Sequence, residues 1–359
     1  MNYTVSSVPN FCERLPKLDL HAHLNGSLTV KSCQELLKLK LRHDPSYNCS
    51  KALDILKSAT PKNLNEVFER FRLIQSITDT TDAITTATTN VVTTFRLDNV
   101  RYLELRSTPR QLNKGSAGKL EYLKAIGDGI KIATQSEVGS KNHVNMLVSI
   151  DRRQSVKEAW ENFEAACVAK NSHHIPIVGV ELSGDPTCGD ARDFLPVFTA
   201  ARNAGFKISV HLSEVYGSRY ADEISAVLDF RPDRIGHGTF LHPEVGGRQE
   251  WVNKVVTERI PLELCLTSNV ISKTVNSHDT HHFKYWHALH HPIVLCTDDM
   301  GVFNTNLSLE YQLAAKYFNL LPNQLFDLSR DSIESIFAPE ELKAELRSFW
   351  DLQKSQLML

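Results

Sequence analysis

KLDLHAHL, residues 17–24, is a short β-rich run that ends in histidines, passes through polar, glycine-containing sequence and gives way to helix-compatible KSCQELLKLK. Seven further runs have the same form: VRYLELRSTP (100–109), VNMLVSIDRR (144–153), IVGVELSGD (177–185), KISVHLSE (207–214), RIGHGTF (234–240), PLELCLTSN (261–269) and IVLCTDD (293–299). Most lead into helical sequence such as ARDFLPVFTAARNAG or LSLEYQLAAKYF. Strands that alternate with helices pair in parallel through crossover units. Eight such units predict an α/β chain folded as a closed (β/α)8 TIM barrel. A doubly wound open sheet is the alternative. That fold usually advertises a glycine-rich phosphate loop after its first strand, and neither G-x-G-x-x-G nor a Walker loop follows one here.

Between the first two strands lies a long stretch, residues 25–99, with helical segments around 30–40 and 62–77. Extra helices there are placed to cover the barrel mouth. Residues 320–359 read as a helical tail. No flexible linker divides the chain, so residues 1–359 are expected to form a single domain with its core at about 15–310.

The chain has 359 residues, ample for a large buried core. Hydrophobic residues at 42% and charged residues at 23% indicate a soluble globular protein. Lys plus Arg number 40 against 42 Asp plus Glu, a net charge of -2 that argues against a dedicated binder of nucleic acid or anionic membrane. No stretch approaches the ~20 apolar residues of a transmembrane helix. The start of the chain has neither an apolar signal-peptide core nor a basic flank. Seven scattered cysteines without a C-x-x-C pair read as free thiols, with Cys265 and Cys296 as core packing. A cytosolic monomer is expected.

Polar chemistry gathers where the strand runs end, which in a barrel is where reacting residues sit. His21 and His23 share one strand face and can meet at one metal ion. A third histidine, His211, and a carboxylate, Asp298, complete a three-His, one-Asp set. Such donors suit Zn²⁺ best, with Fe²⁺ and other divalent ions as alternatives. Glu214, three residues after His211, can stand beside the metal without ligating it. Its plainer reading is a solvated loop carboxylate or a helix cap. His237, within Ile-Gly-His-Gly, can serve catalysis or be a core histidine bonded to backbone.

The ordered motifs LPKLDLHAHLNGS, LSGDP, HLSE, RIGHG, LTSN and CTDD resemble those of the adenosine/AMP deaminase group of metal-dependent hydrolase barrels, from residue 15 to about 310. Within that group, HAHLNGS, LELRSTPR, SIDRR, ELSGDPT, DRIGHGTFL and LELCLTSN look like the N(6)-methyl-AMP deaminase branch. The resemblance implies one Zn²⁺ held by His21, His23, His211 and Asp298. Glu214 would hand a proton to purine N1, and His237 would orient the attacking water and stabilise its oxygen. Asp299 and the Gly184 N–H would bind the purine ring. Asn25, Ser107, Thr108, Pro109, Arg110 and Asp151 would line the nucleotide site. The expected partner is a small purine nucleotide, and the expected reaction converts N(6)-methyl-AMP to IMP and methylamine. Adenosine or AMP deamination, or a zinc-bound barrel that binds without catalysis, are the alternatives.

The residue types suit that chemistry in their own right. Zinc lowers the pKa of a bound water, and a carboxyl with a raised pKa can protonate the ring. The H-x-E and P-C-x-x-C set of cytidine-type deaminases is absent. Adenosine deaminases carry an acidic residue where this chain has Asn25, and an acidic group there would repel a 5′-phosphate. Arg106, Arg110, Arg152 and Arg153 are candidates for phosphate contacts, and Arg110, past the strand end, is the freest. Gln75 stands near a position where related proteins carry a histidine, and no role is assigned to it. The six histidines between His278 and His291 read as surface or helix residues, with a second metal site as the alternative. Thr267-Ser268-Asn269 reads as the end of the seventh strand, either hydrogen-bonding active-site groups or forming a strand-end turn.

Overall fold

The computed structural model describes residues 8–57, 64–112, 118–135 and 142–357. Eight strands follow in chain order: β1 (Lys17–His23), β2 (Val100–Ser107), β3 (His143–Asp151), β4 (Ile177–Ser183), β5 (Lys207–Leu212), β6 (Arg234–His237), β7 (Leu262–Leu264) and β8 (Ile293–Leu295). Each pairs in parallel with its sequence neighbour. The ring closes just past β8, where Ala22 bridges Asp298. There His23 N–H donates to Asp298 O at 3.0 Å and Asp298 N–H to His21 O at 2.8 Å. This is the (β/α)8 barrel that the strand rhythm predicts.

The seventh strand is much shorter than its apolar run. In PLELCLTSN only Leu262–Leu264 is extended, and Thr267, Ser268 and Asn269 lie on a helix, Leu266–Ile271, and do not end a strand. Glu310 holds that turn: it accepts from Thr267 N–H at 3.1 Å and Thr267 Oγ1 at 2.5 Å. A helix start whose donors are satisfied this way outcompetes continued extension.

Four helices fill the described part of the long first connection: Val30–His43, Cys49–Lys57, Leu64–Ile77 and Thr81–Leu97. Positions 62 and 63 of the expected second segment lie outside the described residues. Thr29 and Thr80 cap two of these helices, accepting from Ser32 N–H at 3.1 Å and Ala83 N–H at 3.2 Å. The helix Leu64–Ile77 reaches the strand-end loops: Arg70 Nη1 donates to Val302 O at 3.1 Å, and Arg110 Nη2 donates at 2.7 Å to Thr78 O, just past its end.

The tail forms the helices Pro322–Asp331 and Glu340–Gln356, with Trp350 fully buried. The segment between them closes the N-terminal end of the barrel. Arg234 Nη1 donates to Ser335 O at 2.8 Å, Phe337 N–H donates to Glu104 Oε1 at 2.7 Å, and the Arg234 guanidinium lies 3.4 Å over the Phe337 ring. The tail is thus a working part of the barrel.

Strand alternation sends Ile208, Val210 and Leu212 outward beneath the helices, all but fully buried, and Ser209 and His211 inward. The barrel interior is charged. Glu104, Arg106, Glu181, Arg234 and Glu263 have no exposed surface. Arg106 Nη2 lies 2.8 Å from Glu263, Arg234 Nε lies 2.6 Å from Glu263, and Arg234 also pairs with Glu104. Buried charges are tolerable only when paired in this way. Among the described residues, no helix is long and apolar enough to cross a membrane, and all seven cysteines are unpaired.

Candidate active site at the barrel mouth

The charged interior rises into a cluster of histidines. β1 carries a one-residue irregularity between Asp19 and Ala22, the kind of local kink that re-aims side chains near sites. His21 and His23 emerge from it. Gly236, facing inward from β6, makes room: a Cβ there would stand 2.9 Å from His21 Cε1. At three strand ends the backbone enters the left-handed region, at Ser213 (φ 57°), His237 (60°) and Asp298 (61°). Non-glycine residues hold that conformation at a cost, and such outliers collect at functional sites.

One ligand atom from each of His21, His23, His211 and Asp298 falls within 4.8 Å of the others. Asp298 Oδ1 lies 3.6 Å from His21 Nε2 and 3.4 Å from His23 Nε2. His23 Nε2 and His211 Nε2 face each other at 3.3 Å. The buried His21 Nε2 has no hydrogen-bond partner. Converging ring nitrogens, one of them buried without a partner, are what a cation would relieve, so the residues fit a metal ion, and three nitrogens with one carboxylate oxygen suit zinc.

The rings are held from behind by carboxylates absent from the sequence expectations. Glu263 Oε2 lies 2.6 Å from His21 Nδ1, and Glu181 Oε2 lies 3.1 Å from His211 Nδ1. Burial alone would raise Glu263, but the Arg106 and Arg234 guanidiniums and His21 hold it well below the usual carboxylate range. Such partners fix ring orientation and ligand basicity. The available signal was a glutamate in the middle of an apolar strand, in PLELCL and again in GVELS.

Glu214 Oε2 lies 3.7 Å from His237 Nε2, and that nitrogen lies 3.8 Å from Asp298 Oδ2. Burial, reinforced by nearby Asp298 and opposed by His211, pushes the Glu214 carboxyl up. Burial holds His237 well below its ordinary value, hence neutral. Asp299 is half-buried next to Asp298; desolvation and the Asp298 charge push its carboxyl well above the usual range, and its Oδ1 is covered without a partner. Gly26 is obligatory beside it, since a Cβ there would stand 1.6 Å from that oxygen. Ser268 Oγ donates to Asp298 Oδ2 at 2.6 Å.

The other expected site residues divide by what they touch. Asn25 Oδ1 is buried without a partner. Gly184, at φ 100°, packs against Asp151, whose Oδ1 would lie 2.3 Å from a Cβ. Asp151 itself is clasped by Arg153, with Nε 2.9 Å from Oδ1. Thr108 is half-buried and Pro109 buried at the β2 exit. Ser107 Oγ turns to Tyr122 Oη, 2.7 Å away, so its side chain serves the packing of the helix Lys119–Gln135. Arg110 donates to Gln75 O at 3.3 Å as well as to Thr78, so these two positions do meet. Arg106 and Arg152 are no longer phosphate candidates: the first is locked in the interior, and the second grips Glu223 through Nη2 at 2.8 and 2.7 Å. The histidine segment is also corrected, since His281, His282 and His291 are buried, not surface groups.

A barrel whose strand ends converge on a histidine–carboxylate cluster presents the donors that metal-assisted hydrolysis uses. Residues 16–351 match the family described as adenosine deaminase. The chain belongs to the adenosine deaminase family and is a hydrolytic deaminase. It is 42% identical over 348 residues to the N6-methyl-AMP deaminase of Danio rerio, covering 97% of this chain and 98% of that one. The Homo sapiens N6-methyl-AMP deaminase is also 42% identical, over 97% of this chain and 96% of its own. A crystal structure of an Arabidopsis relative complexed with IMP superposes with a TM-score of 0.86 at 36% identity, covering 97% of this chain and 99% of that one.

Proposed function

We propose that the chain is a zinc-dependent deaminase of N(6)-substituted purine nucleoside monophosphates, converting N(6)-methyl-AMP and water to IMP and methylamine. The observation that carries this is the meeting of a half-buried carboxyl, Glu214, with His237 and Asp298 at one edge of the three-His, one-Asp cluster. The substrate class rests on the relatives named N6-methyl-AMP deaminase and on the IMP complex of the Arabidopsis protein. Asn25, where an acidic residue would repel a phosphate, agrees with a nucleotide.

His21, His23, His211 and Asp298 would hold the zinc, which supplies Lewis acidity that lowers the pKa of a bound water toward ~7. Glu214, its carboxyl pushed up by burial, gives a proton to purine N1 as the ring loses aromaticity at C6. His237 and Asp298 orient the attacking water. Asp299, also protonated, donates to the purine, and the Gly184 N–H makes a second contact. The C6–N bond then breaks, and of the two protons of the attacking water one leaves with methylamine and the other restores Glu214.

The test is product analysis of zinc-loaded protein with N(6)-methyl-AMP, AMP and adenosine in separate reactions, beside Glu214→Gln. IMP and methylamine from the first substrate alone, lost in the variant, is the expected result. Inosine from adenosine as the main product overturns the nucleotide reading.

A further inference from the structure

No step of that chemistry uses the histidines between His278 and His291. Among the three buried ones, His281 at 1% exposure and His282 at 2% stack their rings with centroids 4.1 Å apart. A directed chain of hydrogen bonds runs from this pair to His237. It starts at a donor that cannot be reassigned. Phe283 N–H donates to His281 Nδ1 at 3.0 Å, so Nδ1 accepts. Burial holds His281 neutral. Its one ring proton is therefore on Nε2.

That Nε2 lies 3.0 Å from Asn269 Oδ1 and donates to it, which sets the amide's orientation. Asn269 Nδ2 is then turned to His237 Nδ1 at 3.2 Å and to Thr274 Oγ1 at 3.2 Å. Thr274 agrees with this direction, since its hydroxyl donates to Asn269 O at 3.1 Å and keeps a lone pair for the amide. An amide nitrogen only donates, so His237 Nδ1 accepts. In the neutral ring the proton lies on Nε2, the nitrogen 3.7 Å from Glu214 and 3.8 Å from Asp298. His282 supports the same residue from its backbone: its Nε2 lies 2.9 Å from His237 O, where the chain holds the left-handed φ of 60°.

We propose that His281 and Asn269 are positioning residues that fix His237 as its Nε2–H tautomer, so that it offers the attacking oxygen a hydrogen-bond donor and not a base. The relay stands on geometry alone, and its catalytic consequence rests on the deaminase reading above. An orienting residue behind a catalytic imidazole is a known device for selecting its tautomer. Here the selection starts at one backbone amide 46 positions downstream of His237.

The test uses zinc-loaded full-length protein labelled with ¹⁵N-histidine, with the His237 signals assigned against His237→Gln. Nitrogen shifts report which ring atom carries the proton. Wild type is expected to show Nε2–H. Asn269→Asp keeps the shape but presents only acceptors, so it is expected to move the proton to Nδ1. With it kcat falls on the order of 10²-fold, KM stays within about threefold, and zinc content is unchanged. His281→Gln, which retains a donor for Asn269, is expected to keep most of kcat, whereas His281→Leu loses it in part. Nδ1–H in the wild type overturns the relay, and so does Asn269→Asp that leaves both tautomer and kcat unmoved. If Asn269→Asp does not fold, the wild-type tautomer and the split between the two His281 variants still decide. A tautomer that moves as expected in a protein silent on every purine overturns the deaminase reading and leaves the relay standing.

Discussion

Glu263 is where stability and the proposed metal meet, and Glu263→Gln separates the two. The carboxylate has four neighbours: His21 Nδ1 at 2.6 Å, Arg234 Nε at 2.6 Å, Arg106 Nη2 at 2.8 Å and Ser209 Oγ at 3.0 Å. Each guanidinium contributes about 4 kcal/mol of attraction at an effective dielectric of ~20. Neutralising the side chain forfeits both attractions and recovers several kcal/mol of desolvation. A glutamine also turns an amide NH₂ toward groups that are themselves donors. Breaking a buried pair from one side costs about 3–5 kcal/mol, and that is the loss expected here. Zinc affinity should fall about 10–100-fold as well, because His21 loses the carboxylate that orients it. Urea titration of chelator-treated protein measures the first effect, with the midpoint shift multiplied by the common slope. Competition with a chromophoric chelator measures the second. A stability loss under about 1 kcal/mol, with affinity unchanged, would refute the view that this carboxylate anchors both interior and metal.

Three further expectations follow from the same geometry. Glu310, pushed by burial to about 7 from an ordinary 4.5, holds a proton in the folded chain that the unfolded chain releases between those values. Its contribution is present below pH 4.5 and lost as pH rises through 7, an amount of about 3 kcal/mol. Urea stability measured at pH 5 and pH 8 should therefore fall less in Glu310→Gln than in the wild type, and equal falls would sink the idea. Gly26→Ala displaces Asp299 and should lower kcat/KM at least about tenfold with an unchanged far-ultraviolet circular dichroism spectrum. Chelation should abolish turnover and added Zn²⁺ restore it, while activity that survives exhaustive chelation would remove the metal from the mechanism.

Much of the architecture was legible because a period-two run and a helical run look different within ten residues. The seventh strand shows the limit. CLTSN is as compatible with extension as with a turn of helix until Glu310, more than 40 positions away, accepts the Thr267 N–H. Histidines and acids at strand ends were readable because barrel closure gathers strand ends wherever they stand in the chain. What holds them was not. Glu263 and His21 are 242 positions apart, and nothing local marks one as the other's partner. Arg152 looked as available as Arg110 until Glu223 claimed it, and the histidine segment looked like surface until Phe283 and Asn269 gave two of its rings a direction.

The three left-handed residues at the strand ends are not equivalent. Holding that conformation costs an L-residue about 1–2 kcal/mol, and glycine would be relieved of it. His237 and Asp298 cannot be exchanged without removing a group at the centre of the cluster. Ser213 is under no such obligation: its hydroxyl is buried without a hydrogen-bond partner. One residue before the proposed proton donor, the fold therefore carries a conformational burden that no side-chain hydrogen bond of Ser213 offsets. An engineer seeking a sturdier protein has an opening there at the heart of the site, a region where stabilising changes ordinarily carry a functional penalty.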